Sequence, residues 1–339
     1  MKNRRHLAVA AALCSGVAAA ALWLQAPAPL PVTHAPSASV SLGADVLPEP
    51  PAVSPVDPDP EADAGAEDDA AALAEGVPPV WKGCPPEMVR VGRTCVDRWE
   101  ASLVDRRTKS ALSPYYPPVP KLCETLERRW ETERATMGGP AAQAVSVPRL
   151  PECQRGHFEP MAVAKAGATP AGYLSGVVAE RACEAAGKRL CRVTEWVRAC
   201  EGEAHRPFPY GDKYEPARCN IFRSQHPAAA LHDNASIGHL DPRLNLVKEG
   251  ADPLLRPAGA TRGCASVWGP DAIYDMNGNI DEWVVDDTEP PLDGEKAYKF
   301  VGGFFSRSKK DGCRSAVKNH GKTYFDYSTG VRCCRDVVL

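Results

Sequence analysis

Twelve of the thirteen cysteines in this 339-residue chain fall between Cys84 and Cys334. They are Cys84, Cys95, Cys123, Cys153, Cys183, Cys191, Cys200, Cys219, Cys264, Cys313, Cys333 and Cys334, and no C-x-x-C occurs among them. Zinc sites want closely spaced pairs followed by further pairs or histidines. An even count without such pairs, behind an export signal, reads as six disulfides in an oxidising compartment. A chain crosslinked that densely tolerates long stretches of irregular backbone that an uncrosslinked domain of the same size would not.

The export signal lies at the start. Lys2, Arg4 and Arg5 run into the apolar stretch LAVAAALCSGVAAAALWL at residues 7–24. That length falls between a signal-peptide core and a membrane-spanning helix, which needs roughly 20 apolar residues, so residues 1–25 are a signal peptide or a retained membrane anchor. The nearest small-x-small site, Ala26-Pro27-Ala28, is followed by Pro29, which suits a peptidase badly and favours the anchor. Lipidation at Cys14 is disfavoured by Leu13 before it. Either way the chain is exported, periplasmic or extracellular, and a retained run would tie it to a membrane.

Residues 26–80 are rich in Pro, Ala, Asp and Glu, contain no Lys or Arg, and hold too little apolar side chain to offset the entropy of ordering. They read as a disordered tether, which in extended polyproline form would span on the order of 150 Å. Residues 81–339 then carry 37 Lys and Arg against 33 Asp and Glu. So small a surplus leaves no electrostatic footprint for nucleic acid. The length suits one domain with a substantial core.

Within that domain, Cys84 and Cys95 bracket an alternating run (Met88, Val89, Val91) with a turn at Gly92-Arg93, the pattern of a disulfide-closed hairpin. Leu122, Leu126 and Trp130 share one face of a helix predicted over 122–136, stopped by Gly138, Gly139 and Pro140. From there to Pro170 no period is visible, which predicts loop. Ser175 is a natural N-cap for VVAERACEAA, with Gly187 just past its end, and Thr194 is expected to cap a second helix, TEWVRACEG. Trp196 and Cys200 share a face of that helix, with Trp196 in the core. After Gly202 regular pattern is lost for about seventy residues, a length that needs ions or crosslinks to hold it.

Three segments carry more than pattern: AGKRLCRVTEWVRACEGEAHRPFPYGD (186–212), YDMNGNIDEWVVD (274–286), and VGGFF with CRSAVKNH and TGVRCCRD (301–336). In order and spacing they resemble the formylglycine-generating enzyme (sulfatase-modifying factor) family. Its members commonly read G-x-R-L-P-T-E-A-E-W, a Y-P-W-G-like turn, D-x-x-G-N-x-W-E-W, R-G-G-S and a terminal G-F-R. The chain departs from that pattern at Cys191 (usually Pro), Asp281 (usually aromatic) and Phe304 (usually Ser). The resemblance spans about residues 84–339 and is weakest over 110–170. It implies an α+β fold of the C-type-lectin kind, with little regular secondary structure. It also implies the pairings Cys183–Cys333 and Cys200–Cys313; assigning the remaining cysteines gives Cys84–Cys95, Cys123–Cys153, Cys191–Cys334 and Cys219–Cys264.

The family's oxidase activates oxygen at a copper(I) ion held by two cysteines five positions apart, shortly after the Gly-Gly pair. Counted from Gly302-Gly303, those places hold Arg307 and Gly312, with Cys313 the nearest thiol. Neither residue can ligate a soft ion, so copper and formylglycine formation are not expected and no catalytic residue is assigned. Iron is not expected either: His157, His205, His226, His232, His239 and His320 are scattered, although His226, His232 and His239 with Asp233 or Asp241 can be drawn as a triad. Calcium is the expected ion. The resemblance implies one site at Asp275, the carbonyls of Gly278 and Ile280, and Glu282, and a second at Asn220, the Ile221 carbonyl and Asp233 or Asn234. The family's substrate groove lies near the last loop, where Arg307, Lys309, Lys310 and Tyr324 would form a basic, aromatic-edged surface.

Together these readings describe a non-catalytic, calcium-stabilised module that binds a peptide, glycan or protein outside the cytoplasm. An oxidoreductase of the same superfamily with a different metal site is the alternative, and a structural envelope protein displayed on its tether is a third.

Overall fold

The two ends of the globular region meet in one sheet, which fixes the path of everything between them. The computed structural model describes residues 83–288, 296–307 and 310–338; Lys309 and the run and tether expected over residues 1–80 lie outside the described residues. Strands β1 (Met88–Val91), β2 (Thr94–Asp97) and β3 (Ala101–Asp105) come first, then helices α1 (Leu122–Glu133) and α2 (Pro140–Ala144), strand β4 (Pro160–Ala164) and helix α3 (Gly176–Ala185). Strand β5 (Arg189–Leu190) and helices α4 (Val193–Glu201) and α5 (Pro227–His232) follow, with the short strands β6 (Lys248–Glu249), β7 (Asp252–Pro253), β8 (Ala265–Trp268) and β9 (Asp271–Tyr274). Strands β10 (Asp281–Asp286), β11 (Ala297–Val301), β12 (Ala316–Val317), β13 (Thr329–Val331) and β14 (Cys333–Asp336) complete the chain.

One four-stranded sheet has the order β1-β2-β14-β5 and a second the order β12-β11-β10-β13. The first is antiparallel throughout, with Cys334 opposite Val96 and Cys333 opposite Leu190, while β10 in the second runs parallel to β13. Helices are few and short, and much of the chain is ordered without being regular: the α+β arrangement expected. The core gathers around fully buried Trp283, Trp196 and Tyr173. Trp283 donates its indole N–H to the Leu174 carbonyl at 2.6 Å, so its one polar atom is satisfied.

Local signals behaved unequally. Ser175 caps α3, its hydroxyl accepting from the Val178 amide at 3.3 Å, and Gly187 takes the left-handed position after it with φ of 68°. Helix α4 starts one residue before the expected cap. Arg192 occupies the N-cap, and the Glu195 carboxylate accepts from its amide at 2.9 Å. Thr194 instead bonds Asp287 through both its amide and its hydroxyl. In α1, Cys123 rather than Leu122 joins Leu126 and Trp130 on the buried face. The stretch read as loop before Pro170 contains α2 and β4; β4 is a strand because β3 offers it a ladder, Ala101 opposite Ala164 and Asp105 opposite Pro160.

Among the described residues five disulfides are formed: Cys84–Cys95, Cys183–Cys333, Cys191–Cys334, Cys200–Cys313 and Cys219–Cys264. The sixth pairing is not. Cys123 and Cys153 are thiols, and their sulfurs face different carbonyls, that of Gln154 at 3.8 Å and that of Ala111 at 3.5 Å. Multiple disulfides suit an oxidising, exported setting. Among the described residues no helix is long and apolar enough to cross a membrane.

Because a crosslink acts mainly by restricting the unfolded chain, its effect should grow with the loop it closes. Replacing Cys183 and Cys333, 150 residues apart, with alanine is expected to cost about 3 to 5 kcal/mol in denaturant unfolding. The same change at Cys84 and Cys95, 11 apart, should cost clearly less, and equal losses would contradict the entropic account.

Candidate functional site

The loop after β11 holds Gly312 and Arg307, the two places counted on from Gly302-Gly303. Gly312 stands in the left-handed region with φ of 54°, and a Cβ there would lie 2.2 Å from the Pro207 carbonyl oxygen. No cysteine fits that place without moving the backbone. Its neighbour Cys313 is buried and bonded to Cys200 at the end of α4, so its sulfur is neither free nor exposed.

Arg307 fills the other place. Its guanidinium forms an ion pair with Asp281, the first residue of β10, which is 1% exposed against 16% for Arg307. The other Asp281 oxygen accepts from the Gly303 amide at 3.0 Å. Asp281 and Arg307, both singled out by the sequence, are thus the two halves of one interaction. Burial still dominates and pushes the Asp281 carboxyl up to about 7 against the pull of Arg307, with Asp326 nearby adding to the rise.

Arg307 also edges a cavity of about 350 Å³ that Phe304, His320, Tyr324, Asp326 and Tyr327 help to line. His320 stacks on Tyr324 with centroids 3.9 Å apart, and Phe300 stacks against His320 at 5.6 Å, which makes one wall flat and aromatic. Asp326 is held by the Tyr324 hydroxyl at 2.5 Å and by the amide and hydroxyl of Ser328 at 2.8 and 2.7 Å. Of the basic residues expected here, Arg307 is at the groove. Lys310 is not; its ammonium sits 4.8 Å from the centre of the Tyr214 ring and 5.9 Å from that of Phe222. Asp326 escaped the sequence reading, since it belongs to no motif, and His320 was read only as one of the scattered histidines. The Asp-x-Ser spacing, which lets a carboxylate hold the amide and hydroxyl two residues on, was the available signal.

Calcium wants several hard oxygens turned to one point. Asp275 fits: it is buried, its Oδ2 accepts from the Gly259 amide at 2.6 Å, and its Oδ1 has no partner among the described residues. Gly278 beside it has φ of 94°, and a Cβ there would lie 2.3 Å from the Asn220 carbonyl oxygen, so only glycine lets the two turns touch. Glu282 does not fit. Both its oxygens accept from the buried Arg332 guanidinium, at 2.8 to 3.1 Å, and Oε2 also from the Trp196 indole at 2.6 Å. Glu100, which no motif flagged, is fully buried near Asp275 with Oε1 unpartnered among the described residues, and burial and the Asp275 charge push its carboxyl well up. At the second site the Asn220 amide donates to the Leu254 carbonyl and to Asn279, its Oδ1 has no partner among the described residues, and the next residue, Ile221, is buried. Asp233 is exposed at the C-terminus of α5, with φ of 54°.

The histidines separate. His232 is buried against Asp241, 3.1 Å away, whereas His226 and His239 both face Tyr327. Among the described residues no group of three or more His, Cys, Asp or Glu is placed to hold a metal.

The Asp281–Arg307 pair makes a direct prediction. Arg307→Ala strands a buried carboxylate and is expected to cost about 3 kcal/mol or more in chemical unfolding. Adding Asp281→Asn should recover much of that loss. Additive single-mutant effects would mean that the two side chains do not act as a unit.

The sequence profile of the sulfatase-modifying factor enzyme 1-like domain matches residues 149–337. No curated protein matches the chain. Among solved structures, one described as "Crystal Structure of CarF" is similar at 15% identity over 72% of this chain and 87% of that chain, with a TM-score of 0.32. Matching more than half of its length, and with all three motifs on one α+β frame of the C-type-lectin kind, the chain belongs to the formylglycine-generating enzyme (sulfatase-modifying factor) family.

Proposed function

We propose that this protein is an exported binding module of its family, which holds an acidic or extended peptide in the groove at Arg307 and does not oxidise a cysteine. The observation that carries this reading is Gly312. Where a copper-binding cysteine would stand, the backbone lies too close to Pro207 for any side chain. The disulfide at Cys313 and the ion pair at Arg307 support it, because each engages the group that would otherwise be offered to a metal or substrate thiol. The groove has what peptide capture needs, a cation at the edge of a flat aromatic wall. The N-terminal segments would export the domain and hold it away from a membrane on the 26–80 tether.

Calcium belongs to this reading as a support. It would be held by Asp275 Oδ1 with the carbonyls of Gly278 and Ile280, without Glu282, and would supply the positive charge that the buried Asp275 carboxylate lacks. Binding of the groove ligand does not depend on it.

Fluorescence anisotropy with a labelled Asp/Glu-rich peptide tests the groove. Saturable binding that weakens with salt, and weakens about tenfold in Tyr324→Ala, is expected. Aldehyde formation on a cysteine-containing sulfatase peptide with copper(I) and oxygen would overturn the proposal.

The ion has its own test. Burial pushes the Asp275 carboxyl from 3.8 up to about 6, so in chelator its proton stabilises the fold fully below pH 3.8, and that contribution is lost as pH rises through 6. The loss amounts to about 3 kcal/mol, and Asp275→Asn should flatten it. Calcium added at pH 7.5 is expected to raise the Tm of the wild-type protein and leave that of Asp275→Asn unchanged. No rise in the wild-type protein refutes the site.

A further inference from the structure

A second cavity, of about 450 Å³, opens beside α1. Its walls are Glu127, Arg128, Glu131 and Thr132 of that helix, with Arg149 and Arg155 from the segment after α2. Cys123, Leu126 and Trp130 turn the opposite face of α1 into the core, while Arg128 and Thr132, one turn apart, are exposed. The volume is that of a small-molecule site.

The segment that brings the two later arginines is fastened along the helix. The Tyr116 hydroxyl donates to the Pro148 carbonyl at 2.6 Å, the Leu150 amide to Glu127 at 2.8 Å and the Gly156 amide to Glu124 at 3.1 Å. The Leu150 side chain is buried. Arg149 therefore stands between two anchored residues, and ordering it on a ligand costs less than ordering an arginine on a free loop. Arg155 is fixed differently, by a fork of two hydrogen bonds onto Glu127 at 2.9 and 3.1 Å.

The carboxylates of the cavity are engaged more fully than its cations. Glu127 accepts from the Leu150 amide and from both arms of the Arg155 fork, and Glu131 pairs with Arg134 at 3.7 Å. Arg128 reaches Glu124 only at 3.7 Å, too long for a hydrogen bond, and Arg149 has no partner among the described residues. An exposed pair as loose as Arg128 and Glu124 contributes little, so little is lost when Arg128 turns to a ligand. Two guanidiniums with donors to spare thus line one cavity, one from a helix and one from an anchored loop. A tetrahedral ester group, with oxygens on several sides, can be met by both planar forks at once.

We propose that the cavity beside α1 binds the oxyanion group of a small phosphate or sulfate ester, held by Arg128 and Arg149 against the fixed wall of the Arg155–Glu127 fork. It shares no residue with the groove at Arg307, so it holds or fails independently of the peptide reading.

Isothermal titration calorimetry on the full-length protein tests the site, with glucose 6-phosphate and glucose 6-sulfate as probes and glucose as the blank. One-site binding of at least one ester, with a Kd of about 1 mM or tighter, is expected, and the stronger of the two arms names the source of the oxyanion. Arg128→Ala and Arg149→Ala should each weaken binding about tenfold, and Arg149→Lys, which keeps the charge without the fork, should weaken it less. Arg262→Ala, which removes an exposed cation elsewhere, should leave it unchanged. Arg128 and Arg149 are themselves exposed, so circular dichroism of their variants should match the wild type. No saturable binding of either ester up to about 10 mM, or binding that survives in the double variant Arg128→Ala/Arg149→Ala, would rule the site out.

Discussion

Arg332 is the interaction on which the rest of the structure leans. It is fully buried, and its guanidinium donates to Glu282 in β10, to the Asp97 carbonyl in β2 at 2.9 Å and to the Tyr274 carbonyl in β9 at 2.8 Å. Two regions far apart in sequence, β2 and the β9–β10 stretch, thus converge on one planar cation, whose fork of donors a lysine could not reproduce. A buried ion pair of this kind is a poor source of net stability but a strong selector of one arrangement, since losing either partner leaves a charge with no water. The next two residues add covalent weight: Cys333 ties α3 to β14, and Cys334 ties it to Cys191 just after β5. Glu282 cannot be given to a calcium ion without releasing this arginine.

The same economy of charge recurs at the groove. Gly312 is a backbone turn with no room for a side chain, and Arg307 a guanidinium whose counter-ion rises from the first residue of β10. Asp281 and Glu282 are consecutive in one strand, and each meets its own arginine, Arg307 and Arg332. The cation in the loop is therefore fixed through the core, not through the surface.

How much of this was legible depended on whether the deciding contact was local. Ser175 and Gly187 were readable because a cap needs only its own helix. Thr194 was misjudged because a distant acceptor, Asp287, drew it away and left Glu195 to serve the Arg192 amide. Strand β4 was invisible since PMAVA has no alternating pattern of its own and depends on β3. Cys123 and Cys153 looked like a pair by elimination, yet pairing depends on where the two sulfurs point. Glu282 carried a motif but not its engagement with Arg332, fifty residues on, and Glu100 carried no motif at all. The long irregular stretch after Gly202 was foreseen along with its need for crosslinks, and Cys219–Cys264 supplies one.

That stretch also shows how irregular backbone is kept rigid enough to serve a site. Arg223 binds Glu249 at 2.7 Å and Asp252 at 2.6 Å, and Arg256 closes on the same Asp252. Asn220 reaches across to Asn279 at 2.8 Å, and Asn279 in turn holds Glu100 at 2.7 Å. Exposed ion pairs contribute little singly, but a network sharing carboxylates with a disulfide at its root restricts the loop as a whole. The Arg223 amide donates to the Phe305 carbonyl and the Phe222 amide to that of Arg307, so the network ends on the turn that presents the groove's guanidinium. A cation held in place by crosslinks and ion pairs has less conformational entropy to lose than one on a free loop, so the framework fixes the position of the Arg307 guanidinium in advance.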